Sequence, residues 1–259
     1  MVHAEMTLRN LFMPKQAVYQ DAEPESINVL AILSRGKMHF NNYDYVKSLA
    51  SFDVVLDLDP SNVDALIYRG KILYMFGQYE DSLKDLDRAL TIDSVNVQAL
   101  ITRGNTLWML KKFSECLADF CVALDIESNN PHALKLRGKF YRLLGKFDES
   151  LEDFNKSLEL GHDSAFALRS RGELHHMLGN FEESLADLNQ SLQIEPDNIF
   201  ALRSRGATLF MLKYYKEALT DFNKVLEMNP NDSFANEYKD AIFLRQNLVN
   251  QLPRSQESN

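Results

Sequence analysis

Six arginines recur at intervals of 34 residues, Arg35, Arg69, Arg103, Arg137, Arg171 and Arg205, and each is followed at once by glycine. Sixteen residues after five of them stands an aspartate: Asp85, Asp119, Asp153, Asp187 and Asp221, with Ser51 after the first. The arginine shares a helical stripe with an alanine column and with Phe76, Leu110, Leu144, Leu178 and Leu212, which predicts partial burial. A buried guanidinium without a carboxylate costs roughly several kcal/mol. The five arginines from Arg69 to Arg205 and the five aspartates are therefore expected to form a structural ladder of ion pairs rather than an anion site. Pairing within a repeat and pairing between repeats both fit the spacing. Lys239 keeps a positive charge at the equivalent place after the last repeat, which leans toward pairing between neighbours.

Other reactive side chains point to little chemistry. His175 and His176 are adjacent, so on a helix they diverge by about 100° and do not share an ion without a third ligand. His39 and His175 fall in an apolar column and read as packed histidines. Cys116 and Cys121 lie five apart in one helix, poor geometry for a disulfide and no metal-ligand spacing, so reduced thiols are expected. Acidic pairs such as Glu182-Glu183 sit at helix starts, where the dipole favours them. There is no phosphate-cradling glycine loop, no nucleophile elbow and no two-histidine helical metal motif. A non-enzyme with no cofactor and no metal is expected.

The elements that carry these residues follow from the same period. A strict 34-residue repeat without insertions is the mark of a tandem array with one helix–turn–helix per unit. The frame runs 29–62, 63–96, 97–130, 131–164, 165–198 and 199–232, each block holding two amphipathic helices. Columns of Ala31, Ala65, Ala99, Ala133, Ala167 and Ala201, and of Leu49, Leu83, Leu117, Leu151, Leu185 and Leu219, supply a continuous core. The six Arg-Gly glycines cost about 1 kcal/mol each against alanine inside a helix. Small residues face them at Ser48, Ser82, Cys116, Ser150, Ser184 and Ala218, so backbone-to-backbone contact between the two helices is expected to offset that cost. Gly77, Gly145 and Gly179 mark the turn between the helices. Residues 1–28 form a lead-in, possible helix included, and 233–252 repeat the first-helix register as a cap. Residues 253–259 are polar and expected to be disordered.

Composition narrows the function classes. The chain has 259 residues, 45% of them hydrophobic and 25% charged, enough apolar surface for a solenoid core. Its net charge of −9 argues against general nucleic-acid binding, which needs a basic footprint. No signal peptide, membrane span or lipidation signature is apparent, so a soluble, intracellular, cytoplasmic protein without membrane insertion is expected.

Taken together, these columns resemble the tetratricopeptide repeat (TPR) family over 29–232, with arginine where the family has leucine before the glycine. The resemblance implies an all-α, right-handed superhelical solenoid of six antiparallel helix pairs plus the C-terminal capping helix. It also implies that the first helices line a concave groove. The groove columns then hold Lys37, Phe40, Lys71, Tyr74, Met75, Asn105, Trp108 and Met109, followed by Lys135, Lys139, Arg142, Arg169, His176, Met177, Arg203, Phe210 and Met211. Seven basic residues stand against Asp64 and Glu173 there, a net +5 that leaves −14 for the rest of a chain totalling −9. A basic, aromatic and Met-lined groove suits a protein or peptide segment with acidic and apolar residues, with Trp108 as a central anchor.

The family's carboxylate clamp for chaperone tails is not expected. Lys139 stands where its first asparagine belongs, Ser170 where the second does, and Ile101 precedes Asn105. The expected function is a non-catalytic adaptor or scaffold. Alternatives are a regulatory or targeting subunit, or fragment, of a larger enzyme assembly, and a structural spacer with no groove ligand.

Overall fold

The computed structural model describes residues 28–161 and 165–251; the lead-in before Asn28 and the polar tail lie outside them. Among the described residues there are thirteen helices and no strand. The chain divides into two compact units between Ser128 and Asn129, and each is taken by itself.

The first unit holds three helix pairs: α1 (Val29–Asn41) with α2 (Tyr45–Leu58), α3 (Val63–Met75) with α4 (Tyr79–Ile92), and α5 (Val97–Met109) with α6 (Phe113–Ile126). The second holds α7 (Pro131–Leu143) with α8 (Phe147–Glu159), α9 (Ala165–Met177) with α10 (Phe181–Ile194), and α11 (Ile199–Met211) with α12 (Tyr215–Met228). It ends on α13 (Ser233–Gln251), whose Ala235 and Ile242 are buried beside Phe222 and Val225.

First helices start on a column that the apolar pattern does not reveal. Asn62, Asn96, Asn130 and Asn198 each accept, through the side-chain oxygen, the backbone N–H three residues on, and Asp232 does the same for α13. Such caps satisfy one of the N–H groups a helix start leaves open, at about 1 kcal/mol each. Between the paired helices one residue takes a left-handed conformation. Gly77, Gly145 and Gly179 do so, as expected, but Tyr43, Lys111 and Lys213 hold the same place with φ of 60°, 60° and 66°. The turn geometry, with Gln78 N–H donating to the Leu73 carbonyl and Lys112 N–H to that of Leu107, imposes the conformation whatever the residue.

Helix-interior glycines serve a different contact from the one their small partners suggest. A Cβ on Gly36, Gly104 or Gly206 would first meet the ring of Phe52, Phe120 or Phe222, and on Gly70 or Gly172 the branch of Leu86 or Leu188. Each glycine thus makes room for a large side chain sixteen residues on. Backbone is among the near neighbours at Gly172, where Ser184 O lies 3.2 Å away. Three serines of the small column act through hydrogen bonds, the hydroxyls of Ser48, Ser82 and Ser150 donating to the carbonyls of Gly36, Gly70 and Gly138 at 2.7–2.9 Å.

Each ladder arginine pairs within its own repeat, against the lean toward neighbours. Nε and Nη2 of Arg69 donate to the two oxygens of Asp85, both at 2.7 Å. The same forked pairing joins Arg103 to Asp119, Arg137 to Asp153, Arg171 to Asp187 and Arg205 to Asp221. The planar fork of the guanidinium fits both carboxylate oxygens at once, which a single-point lysine at Lys239 does not predict. Nη1 then turns to the preceding repeat, reaching Asp53 from Arg69, Asp87 from Arg103, Asn155 from Arg171 and Asn189 from Arg205. The arginine is therefore both a clasp within a pair and a link between pairs. Hydrogen bonding to Asp85 and Asp119 raises the pKa of Arg69 and Arg103 further above its already high value.

Candidate functional site

The expected groove residues all lie on first helices: Lys37 and Phe40 on α1, Lys71, Tyr74 and Met75 on α3, Asn105, Trp108 and Met109 on α5. Lys135, Lys139 and Arg142 lie on α7, Arg169, His176 and Met177 on α9, and Arg203, Phe210 and Met211 on α11. The two units differ in how they use them.

In the first unit the aromatics are partly spent on internal packing. Phe40 sits edge-on to Tyr45 and Tyr68, Tyr74 is tilted onto Tyr79, and Trp108 is edge-on to Phe113, each pair with ring centres 5.2–5.6 Å apart. Lys37 pairs with Asp64 at 2.7 Å, and the ammonium groups of Lys37 and Lys71 both lie over the Tyr68 ring. Burial pulls the Lys71 pKa down and pushes that of Tyr74 up. What remains open is an apolar edge, where Met75 and Met109 are nearly half exposed.

The second unit gathers charge more tightly. Glu173 on α9 accepts Arg169 Nη1 at 2.9 Å and lies 3.4 Å from Arg142 Nη2, so two guanidiniums share one carboxylate. Lys139 stands beside them. Its pKa is lowered first by burial and then by Arg142 and Arg169, with Glu173 acting the other way. The guanidinium of Arg169 is held between the rings of Phe166 and Phe200, at 5.3 and 5.4 Å from their centres, and Lys139 also approaches Phe166 at 6.0 Å. Farther along, Arg203 lies 4.7 Å over Phe234 and 3.6 Å from Asp232. Arg142 and Arg169 each keep a buried Nε with no hydrogen-bond partner among the described residues, a group whose desolvation costs about 1–3 kcal/mol.

His176 is fixed by a hydroxyl relay. The Thr208 hydroxyl donates to the Ser204 carbonyl at 2.8 Å and lies 3.0 Å from both His176 Nδ1 and the Ser184 hydroxyl. Burial lowers the pKa of His176, and that of His175 as well.

Phe166 and Phe200 fall in the columns expected to face the groove, and the same place after the last repeat is held by Phe234, which the groove columns did not include. Nor did they include Asp232, which acts both as a helix cap and as the counter-charge to Arg203. These faces offer hydrogen-bond donors, aromatic surfaces and exposed methionines.

Models of the tetratricopeptide repeat match residues 33–97, 131–197 and 199–232, together more than half of the chain. The chain belongs to the tetratricopeptide repeat family. Among solved structures, this TPR chain is similar to the Pseudomonas aeruginosa PilF structure, with a TM-score of 0.74 and 16% identity over 82% of this chain and 97% of that one. A TPR protein from Parabacteroides merdae gives 0.65 and 23% over 84% and 86%, and YrrB, described as a TPR protein with an unusual peptide-binding site, gives 0.57 and 20% over 73% and 97%. At these identities the likeness is one of fold. No curated protein matches the chain significantly. A TPR fold is typically a non-catalytic scaffold for contacts between proteins, and no described helix is long and apolar enough to cross a membrane.

Proposed function

We propose that this TPR protein is a non-catalytic adaptor that holds an acidic, apolar-flanked segment of a partner protein against its first helices. The observation that carries the reading is the cluster of Lys139, Arg142 and Arg169 around the single carboxylate of Glu173, next to exposed Phe200 and Met177. The Arg169 guanidinium, already ordered by the rings of Phe166 and Phe200, loses less entropy when it takes a carboxylate, and exposed aromatic and Met surface supplies the apolar anchors. A basic face on a chain of net charge −9 also steers an acidic segment toward it. A peptide-binding site described for YrrB, a protein of the same fold, is consistent with this use.

The test is affinity purification with crosslink mapping, comparing the wild type with Arg142→Glu, Arg169→Glu and, in the first unit, Trp108→Ala. Crosslinks are expected on first helices and are expected to fall away in the charge reversals. Partners that persist in all three variants but leave when Glu182 and Glu183 are reversed would refute the reading and favour docking on the second helices.

A further inference from the structure

We propose that the acidic group received between Lys139, Arg142 and Arg169 is a phosphoryl group on the partner segment, a phosphoserine or phosphothreonine, rather than a carboxylate. This rests on the segment-binding reading above and names its ligand. Charge is the first argument. Arg142 and Arg169 share the one carboxylate of Glu173, and Lys139 lies within reach of all three charges. Burial is the main cause of the lowered Lys139 pKa, and Arg142 and Arg169 each add to it more than Glu173 offsets. A side-chain carboxylate returns one negative charge, whereas a phosphoryl group near neutral pH carries close to two.

Donor geometry is the second argument. A guanidinium has five N–H groups, and Glu173 engages one of Arg169 at 2.9 Å and one of Arg142 at the long distance of 3.4 Å. The other contact of Arg142 is Nη1 with the sulfur of Met177 at 3.8 Å, a weak acceptor. Donors therefore remain for three further oxygens, which a tetrahedral phosphoryl group offers and a planar carboxylate does not. The third is preorganisation, since Arg169 is clamped by Phe166 and Phe200 before any ligand arrives. Phe200 is 61% exposed and Met177 55%, apolar contacts for residues on either side of the modified one.

A lipid phosphate has the same chemistry but fits the site less well. The two guanidinium side chains are only 17–19% exposed, within reach of a protruding side chain but not of a flat bilayer, and a chain of net charge −9 is repelled by an anionic surface.

The experiment uses the full chain and three matched degenerate peptide libraries whose central residue is phosphoserine, serine or glutamate, read by fluorescence polarisation. The phosphoserine library should bind about tenfold more tightly than the other two, the gain expected of new charge-assisted hydrogen bonds. Lys139→Gln with Arg169→Gln should erase that preference, and Arg169→Lys, which keeps the charge but loses the fork, should retain part of it. Phenyl phosphate should compete. Equal binding of the phosphoserine and glutamate libraries would overturn the phosphoryl proposal while leaving the segment-binding reading intact. Binding to phosphoinositide vesicles with none to any library would also overturn it. The segment-binding reading itself stands or falls separately, on the crosslink map.

Discussion

Replacing Gly104 by alanine is expected to destabilise the protein, although alanine is the better helix former. In isolation the change is worth about 1 kcal/mol in favour of the helix. The new Cβ, however, would lie 2.6 Å from Cε1 of Phe120, 3.0 Å from Cζ and 3.1 Å from Cδ1. Phe120 is 2% exposed, so its ring has no solvent-side room to retreat into. Overpacking of this kind costs about 1–3 kcal/mol, and the net expected loss is about 1 kcal/mol. At Gly138 the nearest atoms are 3.2 Å away, and there the two effects should nearly cancel. The assay is urea unfolding followed by the fluorescence of Trp108, the chain's single tryptophan, one turn beyond Gly104 on α5 and edge-on to Phe113 at 5.6 Å. A local reporter matters because repeat arrays can lose cooperativity between units. Leucine already serves this place opposite Gly70 and Gly172, with closest approaches of 3.0 and 2.9 Å. In a Phe120→Leu background the cost of Gly104→Ala should therefore shrink. A raised midpoint for Gly104→Ala, or an equal cost in both backgrounds, would refute the reasoning.

Three further outcomes are expected. Asp187→Ala, which strands the guanidinium of Arg171 beside a site only 4% exposed, should cost about 2 kcal/mol, and the double change Arg171→Leu with Asp187→Leu should cost less, both read by thermal or urea unfolding. Lys213→Gly should stabilise by about 1 kcal/mol, because Lys213 holds a φ of 66°, whereas Gly179→Ala, at 80°, should destabilise by a similar amount in the same assay. For His176, burial places the folded pKa below its ordinary value of 6.5, so the unfolded chain binds the proton first as pH falls. Stability is then lost as pH drops through about 6.5, and His176→Gln should show a flatter profile when unfolding midpoints are compared between neutral and mildly acidic buffer. His175 contributes with the same sign in both proteins.

The repeat frame, the helix pairs and the family were legible in the sequence, because apolar periodicity, glycine position and a strict 34-residue period are local properties that repetition amplifies. That the candidate columns lie on the first helices was also legible, since a helix places residues at known angles once its buried stripe is identified. Their charge balance was not. Asp232 lies 29 residues after Arg203 and Glu173 lies 31 after Arg142, and only the packing of successive first helices brings them together. The same holds for the ladder. An aspartate sixteen residues after an arginine and one in the repeat before both fit the spacing, and the crossing of the two helices in a pair decides for the former. Nη1 reaching back to Asp53 or Asn155 depends on how one pair is set against the next, which no single helix encodes. Sequence alone thus determined which residues share a face. Tertiary packing determined which of them meet, because hydrogen bonds and ion pairs depend on distances of a few ångströms between helices far apart in the chain.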